Sequence, residues 1–224
     1  SNSNFLLALR GGADVFYFMP GQRYFGAFSK IFFGDTNYAY LLISTFLPFF
    51  IFIFFKKLLN KKYALILFIS FIFFPIFENI GFGYFNYVWQ TVRNHAETLA
   101  ILLIMFSLII IIDINNKKIN YDKLTIVFTG LCLSLAAICR PNFFPTTFFL
   151  SSYIFLFYFL RKNYINSTLL FCSFSTITLC LFHNVYFGQA YYFFTNSHAY
   201  NFPLNLYGYI DAIQNFFSFN FQNK

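Results

Sequence analysis

The sequence predicts an all-α fold: a polytopic transmembrane helical bundle of about six spans, with amphipathic helices in the outward-facing loops. Composition is the first observation behind this. Of 224 residues, 59% are hydrophobic, 26% aromatic and only 10% charged, whereas a water-soluble domain carries about 25% charged residues. The second is a series of charge-free apolar runs, and the third is the clustering of Lys and Arg in short connections between them. The hydrophobic content excludes disorder, and four cysteines in a chain this long exclude a disulfide scaffold. The 40 phenylalanines are less telling. Phe, Ile, Asn, Lys and Tyr all have AT-rich codons, so the aromatic load is ambiguous between nucleotide bias and selected chemistry.

The runs are 38–55, 63–77, 98–112, 124–139, 143–160 and 165–182. Three fall below the ~17-residue lower limit for a span, which places their flanking Tyr, Asn and Lys in the headgroup layer. Between runs, Lys56, Lys57, Lys61 and Lys62 fill the first connection, Lys117, Lys118 and Lys123 the third, and Arg161 and Lys162 the fifth. Arg10, Arg23, Lys30, Arg93, Arg140 and Lys224 are spread over longer segments on the opposite side. The positive-inside rule then orients the chain. The lysine-rich turns face the cytoplasm, and 1–37, 78–97, 140–142 and 183–224 face outward. The net charge of +8 follows from topology, and no basic patch argues for nucleic acid. This gives a single membrane domain: an outer loop with an amphipathic helix (1–37), six transmembrane helices (38–182), and an outer loop or re-entrant segment (183–224). Because the chain opens on Ser1 in an outward loop, with no signal peptide, the sequence reads as an internal fragment with at least one span before it.

The outward side holds the ionisable variety: His95, His183 and His198, with Asp14, Asp35, Glu78, Glu97 and Asp211. Asp113 and Asp122 fall on the cytoplasmic side, beside lysines able to neutralise them. Cys132, Cys139, Cys172 and Cys180 lie in spans as small hydrophobes, without metal-ligand spacing.

In the first loop, Gly11–Gly12 and Pro20–Gly21 are bend and turn signals. From Gln22 to Phe33 the pattern is amphipathic, with Tyr24, Phe25, Phe28, Ile31 and Phe32 on one face and Arg23 and Lys30 off it. A short helix lying on the outer membrane surface fits this pattern. Gly34 stops it, and Asp35, Thr36 and Asn37 offer N-caps for the first span. Asp14 and Arg23 sit in this aromatic loop, where neither is needed for solubility. A carboxylate among aromatic rings can serve as a base, and an Arg can hold a phosphate through paired hydrogen bonds. A plain Asp–Arg pair pinning the loop is the alternative.

In the second loop Tyr84, Tyr87 and Trp89 suit an interfacial belt. Arg93 and Glu97 are spaced to pair on one helical face, and His95 reads as a solvated interfacial residue. Arg140 ends a span and Pro141 breaks the helix behind it, leaving Arg140 either to reach for lipid headgroups or to bind an anion. In the last segment a surface or re-entrant helix is expected around Tyr209–Phe217, and His183 and His198 are too far apart for a local metal motif.

The stretch DVFYFMPGQRYFGAFSKIFFGD (14–35) resembles the first periplasmic loop of bacterial GT-C membrane glycosyltransferases, the group that includes protein O-mannosyltransferase-like and aminoarabinose-transferase-like enzymes. The shared pattern falls on Pro20, Gly21, Arg23, Tyr24, Gly34 and Asp35, with RNHAETLA and RPNxxP (Arg140, Pro141, Asn142, Pro145) at comparable places. The resemblance covers about residues 10–145. It implies a sugar transferase of the bacterial plasma membrane, using a polyprenyl-phosphate-linked donor and a cell-envelope acceptor on the periplasmic side. Asp14 would then be the catalytic base, unless that base precedes Ser1 and Asp14 is a second acid. Arg23, Tyr24, Arg93, Glu97 and Arg140 would bind substrate. Membrane lipid and the lipid-linked donor are the partners implied; a divalent metal is neither required nor excluded. A transporter or flippase-like protein, or an O-antigen polymerase-type transferase, is the competing reading. Transport would call for ionisable groups or matched helix breaks within the spans; Pro48 and Pro75 lie in neighbouring spans instead.

Overall fold

A computed structural model describes residues 20–34, 36–73, 83–93, 95–116 and 122–188. Asp14, Asp35, Glu78, His198, Asp211, the turn at Gly11–Gly12 and the helix expected near Tyr209–Phe217 lie outside the described residues. Among those described there are helices and no strand. They are α1 (Gly21–Phe33), α2 (Tyr38–Leu58), α3 (Lys61–Phe73), α4 (Tyr84–Val92), α5 (Glu97–Asn115), α6 (Lys123–Cys139), α7 (Phe144–Leu160), α8 (Tyr164–Phe174) and α9 (Leu179–Gly188). Short 3-10 turns at Pro141–Phe143 and Ser175–Thr178 precede α7 and join α8 to α9.

Four stretches are long and apolar enough to cross a membrane: Tyr38–Leu58, Glu97–Asn115, Pro141–Leu160 and Tyr164–Tyr186. The other two expected spans are shorter here: α6 has 17 residues, and α3 has 13 within the described chain. The molecule has the character of an integral membrane protein. α1 and α4 are amphipathic, whereas α2, α5 and α7 are apolar on every side, as helices must be when lipid replaces water around them.

α6 has α1, α5, α7 and α8 as neighbours, and small residues let them come close. A Cβ at Gly130 would lie 2.0 Å from Ser173 Oγ and 3.0 Å from the Leu170 carbonyl oxygen. One helical turn on, the Ser134 and Thr176 hydroxyls hydrogen-bond at 2.8 Å. Small residues at helix crossings are the usual device where apolar burial gives no net drive between helices. Apolar packing fills the remainder, centred on Ile126, Leu133, Ile154 and Leu170.

Polar groups in this apolar body are paired locally. Ser44, Ser107 and Thr129 donate to the carbonyls of Tyr40, Leu103 and Thr125 one turn back. Pro48 lies inside α2 and has no N–H to give the Ser44 carbonyl. The Tyr84 hydroxyl donates to that carbonyl at 3.2 Å, so a ring on α4 supplies the donor that α2 lacks.

Charges collect at the helix ends. Lys57, in the last turn of α2, hydrogen-bonds Asp113 near the end of α5. Asp113 is only 3% exposed. A lysine does pair with this aspartate, but Lys57 is 56 residues away, not beside it in the sequence. Asp122 caps α6, accepting from the Thr125 backbone N–H at 3.0 Å and from its hydroxyl, and these bonds lower its pKa. Glu97 starts α5 and Arg140 ends α6, and their contact shows that the two helices run in opposite directions.

The Lys57–Asp113 pair yields an asymmetric expectation. Lys57→Met removes the ammonium beside a buried carboxylate and should cost about 3 kcal/mol. Asp113→Asn leaves a lysine able to extend toward water, and should cost less than half as much. Unfolding in a mild detergent measures both; equal costs would contradict the assignment of Asp113 as the buried partner.

Candidate functional site

α1 gathers the site, and Gly21 is what lets it dock. A Cβ there would lie 2.7 Å from the Cys139 nitrogen and 2.8 Å from the Ile138 carbonyl carbon, both backbone atoms. Any larger residue would lift the start of α1 off the end of α6. Phe25 packs on the cluster of Ile43, Leu99, Ala100, Ile104, Ala136 and Cys139, and meets Tyr40 edge-on at 5.9 Å between ring centres. Gly34, at φ 66°, closes the helix as expected, its N–H bonded to the Lys30 carbonyl.

The expected single apolar face of α1 is divided. Phe25 turns into the protein, while Phe28, Ile31 and Phe32 stay exposed, Ile31 at 76%. The reason is that docking through Gly21 sets the rotation of the helix, so only part of its apolar arc meets the bundle.

Tyr24 reaches α9. Its hydroxyl lies 2.5 Å from His183 Nδ1, and the two rings meet edge-on at 5.7 Å. Burial raises the Tyr24 pKa against the opposing influence of Arg23, which keeps the phenol protonated. His183 was expected in the outer loop beyond a span ending at Phe182; instead the helix continues to Gly188 and His183 is buried within it. No local pattern marks a pair 159 residues apart. The signal available was a histidine closing an apolar run.

Arg23, next on α1, is half-buried, and burial lowers its pKa; a guanidinium remains charged at neutral pH nonetheless. Asp14 lies outside the described residues, so the expected Asp14–Arg23 neighbourhood has no described geometry.

Arg93 and Glu97 do not share a helix. α4 ends at Val92, Arg93 caps it, and α5 begins at Glu97; the four-residue spacing aligns side chains only along one continuous helix. Arg93 instead lies over the Trp89 ring at 3.7 Å, a cation–π contact. Glu97 pairs with Arg140 at 2.7 Å and lies 3.9 Å from His95 Nδ1. Both partners suit their positions, an anion in the first turn of a helix and a cation at a helix C-terminus. One oxygen of Glu97 is buried without a hydrogen-bond partner. Arg140 is thus held by Glu97, a third arrangement beside the two expected of it.

An apolar cavity of about 460 Å³ lies beneath α1. Its walls include Phe25, Phe28, Leu99, Leu103, Leu135 and Leu179, with Tyr24, Cys139 and Cys180 also lining it. Arg140 follows Cys139 directly in the chain. The arrangement is an apolar chamber with Tyr24 in its wall and Arg140 one residue beyond its lining. Among the described residues, no three His, Cys, Asp or Glu side chains come together as a metal site. No family model, no curated protein and no solved structure matches this chain.

If Gly21 is the docking point, Gly21→Ala should expose the Cys139 thiol to a small maleimide in a folded sample. Gly26→Ala, whose Cβ would meet only the Tyr40 hydroxyl at 3.3 Å, should not. Equal labelling in the two variants would remove Gly21 from that role.

Proposed function

We propose that this chain belongs to a membrane glycosyltransferase, which moves a sugar from a polyprenyl-phosphate-linked donor to a cell-envelope acceptor on the outer face of a bacterial plasma membrane. The observation that carries this reading is the pairing of an apolar cavity under α1 with Arg23, Tyr24 and the Glu97–Arg140 pair at the same end of the bundle. A lipid phosphate needs both an apolar place for its chain and cations for its head. The resemblance of 14–35 to the first periplasmic loop of GT-C enzymes points the same way.

In this reading all six apolar runs cross the membrane and the lysine-rich turns face the cytoplasm. The acceptor hydroxyl attacks the anomeric carbon of the donor. The bond from that carbon to the phosphate oxygen breaks, and the acceptor proton passes to the Asp14 carboxylate. The departing polyprenyl phosphate takes the bonding electrons, and Arg23 and Arg140 stabilise its charge. Glu97 holds Arg140 in place, leaving its other N–H groups for the phosphate. Arg93, spent on Trp89, is a peripheral contact. Transport would use ionisable groups within the spans. The buried charge pair described, Lys57–Asp113, lies instead in the final turns of α2 and α5.

The test is sugar transfer from a polyprenyl-phosphate donor by the protein in native membranes. Asp14→Asn should lower the rate by about 100-fold, the scale of losing a general base. Arg23→Ala should lower it comparably through lost charge stabilisation. Wild-type rates in both variants would overturn the assignment.

A further inference from the structure

Within the stretch Tyr164–Tyr186, the α-helix gives way to a 3-10 turn at Ser175–Thr178. Such a turn inside a long helix marks strain or a functional break. Irregular backbone at membrane depth is tolerated where it is buried in protein or lines a cavity. Here hydroxyls from the turn serve the nearby carbonyls. Ser175 donates to Phe171 at 2.7 Å, Thr176 to Ser173 at 2.8 Å and Thr178 to Ser175 at 2.7 Å.

The turn forms one wall of a cavity of about 730 Å³, and α7 forms the other. That volume falls in the range of small-molecule sites, ~300–1,000 Å³. Phe148, Phe155 and Phe171 line it together with Ser151, Ser152 and Thr178, and no lining residue is charged. Ser151 stands out. It lies near the middle of α7 and is 7% exposed. Every other buried Ser or Thr among the described residues hydrogen-bonds to a carbonyl or another hydroxyl. The Ser151 hydroxyl has no such partner and is open to the cavity, and a hydroxyl left unpaired in an apolar medium is costly.

We propose that this cavity binds a neutral, bilayer-soluble alcohol with a hydrocarbon chain, its hydroxyl bonded to Ser151. The uncharged walls disfavour a phosphate or carboxylate head at this depth, the phenylalanines accept a chain, and the open hydroxyl favours an alcohol over an alkane. The site does not depend on the transferase reading.

The test uses the full chain in phospholipid nanodiscs, photolabelled with hexadecanol carrying a mid-chain diazirine and mapped by peptide mass spectrometry. Label should concentrate on residues 144–156 and 171–178. Excess hexadecanol should displace it, and neither palmitate nor hexadecane should. Ser151→Ala should weaken displacement by about fivefold, the weight of one hydrogen bond. Leu156→Trp, filling the cavity from an exposed position, should remove the label, while Leu160→Trp outside the cavity should leave it. Label spread evenly over the helices, equal displacement by hexadecane, or label unchanged by Leu156→Trp would each overturn the proposal.

Discussion

Asp113 sits almost wholly buried in an otherwise apolar helix, and the Lys57 ammonium makes that position tolerable. The same constraint, that polar groups in hydrocarbon must find partners within the protein, accounts for much of the rest. Among the described residues, Lys57–Asp113 and Glu97–Arg140 pair across helix ends, and Asp122 caps one. Hydroxyls inside helices turn back to their own carbonyls. The Tyr84 hydroxyl reaches across to the carbonyl that Pro48 leaves without a donor. Ser151, whose hydroxyl makes no such bond, faces a cavity.

Close approach is the second determinant, and it rests on small residues. Gly130 and Ser134 let α8 and the following 3-10 turn settle on α6. Gly21 does the same for α1 at the far end of α6. Once Gly21 touches the Ile138–Cys139 backbone, the rotation of α1 is set, and with it the inward turn of Phe25 and the reach of Tyr24 to His183. The cavity beneath α1 is the space left between a docked amphipathic helix and the ends of α5, α6 and α9. In the proposed function its polar neighbours matter because that docking holds them beside an apolar space.

Features governed by local chemistry were legible in the sequence. The helix from Gln22, its stop at Gly34 and the break at Pro141 all follow from residue type and near neighbours. Features that join distant segments were not. Arg93 and Glu97 have the spacing of a helical pair, but the chain turns between them, so each finds a partner elsewhere. Glu97 with Arg140, and Tyr24 with His183, depend on helix directions and on the rotation of α1, neither of which composition encodes. The 3-10 turn at Ser175–Thr178 sits in an apolar run with no proline or glycine to announce it.

The central claim is that this end of the bundle is built for a lipid phosphate, and binding tests it without requiring an acceptor. Native mass spectrometry of the Leu156→Trp variant, whose α7 cavity is filled, with undecaprenyl phosphate or undecaprenol would compare the two directly. The account expects the phosphate to bind at least about tenfold more tightly, as charge-assisted hydrogen bonds imply, and expects Arg23→Ala with Arg140→Ala to abolish that preference. Equal affinity for phosphate and alcohol, or a preference unchanged in the double variant, would contradict it.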